Sequence, residues 1–229
     1  MADAPSIAGT ITRTLTSEAL EVIKGYEGVP YYNNARVAVR GLRVMRGKGS
    51  PEEIKDEALI YALREKVDLR ALRPEIYKKF LVNHNIGIDC SGLAYHILDT
   101  ESRARGKGSL AQHLRFPFMN NVFQQLFRTL FRRFAENTDV RTFASPANSH
   151  AIDVSEAEPG DFFIRLGKAK GERDHMILIS AVAPDMITLV QSVALPTDGR
   201  YGHGVRTEII PRNAAPKFPL RRLNWLALS

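Results

Sequence analysis

The hydrophobic rhythm of this chain changes part-way along, and that change limits its fold more than any other feature. Up to about residue 137 the apolar positions recur at spacings of three and four. From Asp161 onward they gather into short β-rich runs, "DFFIRLG", "DHMILISAV", "MITLVQSVA", "GVRTEII" and "LNWLAL". These runs are separated by "GKAKGE", "APD" and "PTDGRYGHG", tight Pro, Asp and Gly breaks that turn the chain back on itself. An antiparallel sheet is predicted for this half, and helices first with sheet last make an α+β domain.

The helical half carries its own start signals. "TSEALEVIKGY" begins with two capping residue types, and a short helix is predicted from Thr16 to about Tyr26. In "GSPEEIKDEALIYALREKV", Ser50 is the N-cap, Pro51 the first helical residue and Glu53 the partner of a capping box. Ile54, Ala58, Tyr61 and Ala62 form its apolar stripe. A further helix is predicted from about Pro74 to Val82. "NNVFQQLFRTLFRRFAEN" reads as an amphipathic helix with a phenylalanine face. "VAVRGLRVM" reads as a strand or hairpin and "DTESRARGKGSLAQH" as an exposed loop.

A chain of 229 residues, 44% hydrophobic and 25% charged, is long enough to bury one sizeable core. Residues 1–14 read as a flexible N-terminus and 15–229 as a single domain, with helical insertions at about 35–85 and 100–150. The N-terminus lacks a basic region followed by an apolar core, and no apolar run approaches the ~18 to 20 residues of a membrane span. The expected setting is therefore cytoplasmic, with non-classical export the alternative. Net charge of +7 suits an anionic partner without naming it. The histidines are scattered and no H-E-x-x-H spacing occurs, so neither a metal nor another cofactor is expected. "RGKGS" at 46–50 lacks the Ser or Thr that follows the lysine of a phosphate loop, and helix capping is the better reading.

The one cysteine, Cys90, excludes an internal disulfide and a cysteine-rich zinc site. It lies in "NHNIGIDCSGLAYHILD", where Leu93, Ile97 and Leu98 recur at helical spacing and place Cys90 in a first turn. Amides of that turn stabilise a thiolate and a tetrahedral oxyanion. A lone cysteine is as readily a small buried hydrophobe, and this stretch leaves both readings open. His84 is near in sequence, and His96 lies six residues on, about 600° around a helix, pointing away. His113, His150 and His203 sit in polar loops. His175 differs, because it opens the strand "HMILISAV", where a rigid sheet holds an imidazole as a general base.

"IDCSGLAYHIL", "EPGDFFIR" and "DHMILIS", in that order and after "GVPYY", resemble the NlpC family of papain-like cysteine peptidases, which cleave peptide stems of bacterial cell walls. The resemblance covers roughly residues 20–34, 86–98 and 157–192. It implies a papain-like fold, with a nucleophile helix packed on an antiparallel sheet. It implies Cys90 as nucleophile and His175 as base. It also implies Tyr31 as the tyrosine lining the site, with Tyr32 the alternative. Asp89 and Ser91 are expected to shape the site mouth. The third group, which orients the imidazole, is expected to be Gln191, since the family uses His, Asn or Gln there. A two-residue turn at Pro184-Asp185 instead puts Ser192 on the face of His175, because a one-residue slip reverses every such assignment.

The resemblance departs in three ways. Long inserted stretches precede and follow Cys90, Ile177 stands where relatives often have glycine, and the expected export signal is missing. The leading expectation is a thiol hydrolase that cuts an amide in peptidoglycan-type peptides. Acyl transfer on the same fold and a non-catalytic basic binding module are the alternatives. A peptide or cell-wall fragment is the expected partner, and nucleic acid is not.

Overall fold

The computed structural model describes residues 13–34, 43–116, 134–169 and 172–226. Among these, seven strands form one sheet: β1 (Arg13–Thr14), β2 (Ser149–Ile152), β3 (Phe162–Arg165), β4 (His175–Val182), β5 (Met186–Val193), β6 (Gly204–Pro211) and β7 (Leu220–Leu223). Every pairing is antiparallel. The order across the sheet is β2-β7-β3-β4-β5-β6, with β1 paired to the far end of β4 at Ala181 and Val182. The chain is thus α+β, with helices leading and an antiparallel sheet following.

The helices are α1 (Ser17–Gly25), α2 (Pro51–Glu65), α3 (Pro74–Asn83) and α4 (Cys90–Ala104), then the shorter α5 (Leu110–His113), α6 (Phe134–Asn137), α7 (Val140–Ala144) and α8 (Gly199–Gly202). Their starts follow local chemistry. The Thr16 hydroxyl caps α1, and Ser50 with Glu53 forms the predicted capping box on α2, with Pro51 in the first turn. On α2, Ile54, Ala58 and Ala62 turn inward and Tyr61 packs against the same core. α4 lies on β4 and β5. Its Leu93, Ile97 and Leu98 share a buried cluster with Met176, Leu178 and Val190 of those strands. The other sheet face buries Phe163, Ile177, Ile179, Ile187 and Leu189.

"EPGD" opens β3. Gly160 takes a φ of +98°, and its amide donates to the Ile179 carbonyl at 2.9 Å. Asp161 accepts two bonds of 2.8 Å from the Arg222 guanidinium, from Nε and Nη2, which ties β3 to β7.

Four local expectations change. Helix α4 runs to Ala104, through the start of the segment read as a loop. Its i, i+4 pairs Asp99–Arg103 and Glu101–Arg105 carry it on, with Glu101 wholly buried. Of the stretch 37–45 read as a strand or hairpin, 37–42 lie outside the described residues, and Arg43 to Met45 form a 3₁₀ turn with Arg46. The last strand falls at Leu220–Leu223, so "LNWLAL" contributes only its first residue, and Asn224–Trp225 form a turn. Arg13 and Thr14 belong to the sheet rather than to a flexible N-terminus, and β2 draws Ser149 and His150 into it from the end of the second expected insertion. The phenylalanine-rich helix falls mostly outside the described residues, which include only its final turn, Phe134–Asn137.

No described helix is long and apolar enough to cross a membrane. No group of three or more potential metal ligands occurs among the described residues.

Candidate active site

The approach to Cys90 is pinned from both sides before the helix begins. Ile88 bridges to Tyr31 on one side and to Lys48 on the other. Its amide donates to the Pro30 carbonyl at 3.0 Å, and its own carbonyl accepts the Ser192 hydroxyl at 2.7 Å. Asp89 is the N-cap of α4, and its Oδ1 accepts the Gly92 amide at 2.6 Å. That bond claims one of the first-turn amides on which the thiolate was expected to draw, leaving those of Cys90 and Ser91. Glycine at 92 is dictated by crowding, since a Cβ there would stand 2.5 Å from the Gly47 carbonyl oxygen.

Asp89 and Ser91 are almost fully buried, with side chains turned inward, so they line the floor of the site rather than its mouth. What holds them is Lys48, itself only 7% exposed. Its Nζ donates to Asp89 Oδ1 at 2.9 Å, to Ser91 Oγ at 2.6 Å and to the Thr138 carbonyl at 2.9 Å. The backbone of Lys48 is fixed in turn by His96, whose Nε2 donates to the Lys48 carbonyl at 2.9 Å. Sequence reasoning missed this lysine. "RGKGS" gives no sign of it, because its partners lie forty and more positions away and only the pairing with Ile88 brings it to the cysteine.

Above this floor is a cleft of about 550 Å³. Cys90, Tyr31, Arg46, Lys48, Glu136 and Arg173 are among its lining residues. Tyr31 rather than Tyr32 takes the lining position, and the Tyr32 hydroxyl accepts from Asn34 instead. Burial beside Cys90 and Asp89 pushes the Tyr31 hydroxyl up to about 12, against the opposing pull of a hydrogen bond from Arg173. Asp174 is held away from the imidazole by Arg141, at 2.8 Å.

His175 and Gln191 meet: His175 Nε2 lies 2.8 Å from Gln191 Oε1. An amide oxygen only accepts, so Nε2 carries the proton and Nδ1 keeps its lone pair. A β-bulge decides this partnership. At the turn the strands pair Val182 with Ile187, the register that puts Ser192 on the face of His175. Between Ile179 and Ala181 the register slips by one residue, and Leu178 pairs with Val190. Gln191 is thereby brought round to His175, and Ser192 turns to Ile88.

Cys90 and His175 share no hydrogen bond in this state. The backbone amides of Met176 and Ser91 are what reach the sulfur. By alternation along β4, His175 keeps register with Ile177 and Ile179, whereas Met176 and Leu178 face α4. The helix start and the strand mouth are therefore adjacent, with the imidazole on the outer side of the strand's first residue. Burial and the Asp89 carboxylate push the Cys90 thiol up to about 12, against the pull of Lys48 and the two amides. Burial also holds the His175 imidazole below its ordinary value. The resting site thus pairs a neutral thiol with a neutral imidazole.

The remaining histidines have structural partners. His84 bonds the Phe80 carbonyl and Glu65, His113 the Lys107 carbonyl, His150 Asn224, and His203 the Leu195 carbonyl. Among protein-family models, curated proteins and solved structures, none matches this chain.

Proposed function

We propose that this chain is a papain-like thiol hydrolase that cleaves an amide in peptidoglycan-type peptides. The observation that carries the reading is the 2.8 Å bond from His175 Nε2–H to Gln191 Oε1, at the mouth of a strand whose next amide touches the Cys90 sulfur. It leaves Nδ1 as an acceptor one residue along β4 from the amide at the Cys90 sulfur. Catalytic hydrogen bonds are often long or misaligned before substrate arrives, so the missing Cys90–His175 contact is compatible with this role.

In the proposed cycle, His175 Nδ1 takes the proton from Cys90 Sγ, and the thiolate adds to the scissile carbonyl carbon. The first-turn amides of Cys90 and Ser91 bind the oxyanion. Collapse breaks the C–N bond, and the departing amine takes the proton from His175. Water, deprotonated by the same imidazole, then attacks the thioester and returns the carboxylate product and the thiol. Arg46 and Arg173 in the cleft suit the carboxylates that cell-wall peptides carry.

Purified wild type, Cys90→Ala and His175→Ala assayed on muropeptides test the reading. Loss of hydrolysis in both variants is expected, and full activity of Cys90→Ala overturns it. The elevated thiol favours a second reading, a basic binding module in which Cys90 is inert. That reading requires salt-dependent binding to a polyanion that Cys90→Ala leaves unchanged.

A further inference from the structure

Lys48 is a buried cation that a capping motif would not need. Its three donors are spent on the residue before Cys90, the residue after it, and the Thr138 carbonyl between α6 and α7. Asp89 does not depend on it for satisfaction, since Oδ1 also accepts the Gly92 amide and the Ser91 hydroxyl, and Oδ2 accepts Asn33. The chain nonetheless assembles a dedicated seat for this side chain. The Lys48 amide donates to the Arg43 carbonyl, the Asp89 amide donates to the Gly47 carbonyl, and His96 clamps the Lys48 carbonyl. Gly47, at a φ of +77°, and Gly92 allow the two segments to approach this closely.

We propose that Lys48 is a positioning residue for Cys90: it locks both neighbours of the cysteine to the opposite wall of the cleft and sets a fixed positive charge beside the sulfur. This rests on the reading of Cys90 as the nucleophile. The charged and titratable groups around the thiol are Asp89 on its own helix start, Tyr31 and Arg46 from the flanking segments, and Glu136 and Asp139 from the far wall. Arg173, Asp174 and His175 stand at the mouth of β4. Asp89 and Lys48 itself act by charge on the thiol, in opposite directions, so loss of Lys48 leaves the Asp89 charge unopposed by another charge.

The test is the rate of Cys90 alkylation by iodoacetamide against pH, in the full chain, for wild type and Lys48→Met. The thiolate is the reacting form, so the variant is expected to react about tenfold more slowly at pH 8, a deficit that persists as the pH rises because the thiolate stays the minor form in both proteins. A folded variant with the wild-type profile overturns the proposal. So does a deficit that Asp89→Asn in the Lys48→Met background leaves unchanged, because with the carboxylate charge gone a slow reaction reports altered access rather than charge. Should Lys48→Met fail to fold, as its circular dichroism would reveal, Lys48→Gln, which still donates to Asp89 without the charge, is read against the same criteria. The readout needs no substrate. A wild type that alkylates normally but hydrolyses no peptide therefore sinks the hydrolase reading alone, and an unchanged Lys48 profile in an active enzyme sinks the positioning role alone.

Discussion

Cys90 is held protonated by its burial and by Asp89, and His175 is held neutral by its own burial. In the proposed mechanism, proton transfer between them waits on substrate, which would expel water from the cleft and bring a carbonyl to the sulfur. Adjacent residues of β5 give a paired check on this arrangement. Gln191→Ala removes the acceptor that fixes the imidazole tautomer, and is expected to lower kcat for muropeptide hydrolysis by up to ~10²-fold. Ser192→Ala removes only the bond to the Ile88 carbonyl, and is expected to cost about 1 kcal/mol in urea denaturation while kcat stays near wild type. Cys90, Asp89 and His175 were legible in the sequence because cap, thiol and strand start are local patterns. Lys48 was not, because its meaning depends on partners 41, 43 and 90 positions away.

At the level of elements, the bulge in β4 is the decisive device. The turn at Pro184-Asp185 sets one register and the slip at Ser180 replaces it with another, so the two ends of a single hairpin obey different pairings. Alternation of apolar residues reveals each half of the strand but not the extra residue between them, which is why Gln191 and Ser192 could not be separated from spacing alone. The capped starts of α1 and α2 were legible for the opposite reason, since cap and partner lie three residues apart. The end of α4 was hidden, because Glu101 is a charged residue whose burial is satisfied by Arg105 and by the amide and hydroxyl of Thr16. Gly92→Ala tests the packing of the first turn. Alanine ordinarily favours a helix, but here the added methyl meets the Gly47 carbonyl and Ile88, and a loss of about 1–3 kcal/mol is expected in chemical denaturation.

For the molecule as a whole, α4 is the centre of assembly. It carries Cys90 at one end and Glu101, which ties down the start of α1, at the other. It also holds His96 half-buried between, and that desolvation lowers the pKa of the imidazole. The unfolded chain then binds a proton near its ordinary pH of ~6.5 while the folded chain resists it, so stability falls as the pH drops below that point. His96→Gln, which keeps a donor for the Lys48 carbonyl but cannot titrate, is expected to flatten this acid limb in melting curves taken between about pH 7 and pH 5. The sheet order has a consequence for biosynthesis. β7, built from residues 220–223, sits between β2 and β3, so a nascent chain that has not yet emerged that far holds β3 with one edge bare and β2 with no neighbour. The sheet is therefore closed only when β7 arrives, and until then β3 presents a bare strand edge for chaperones to guard.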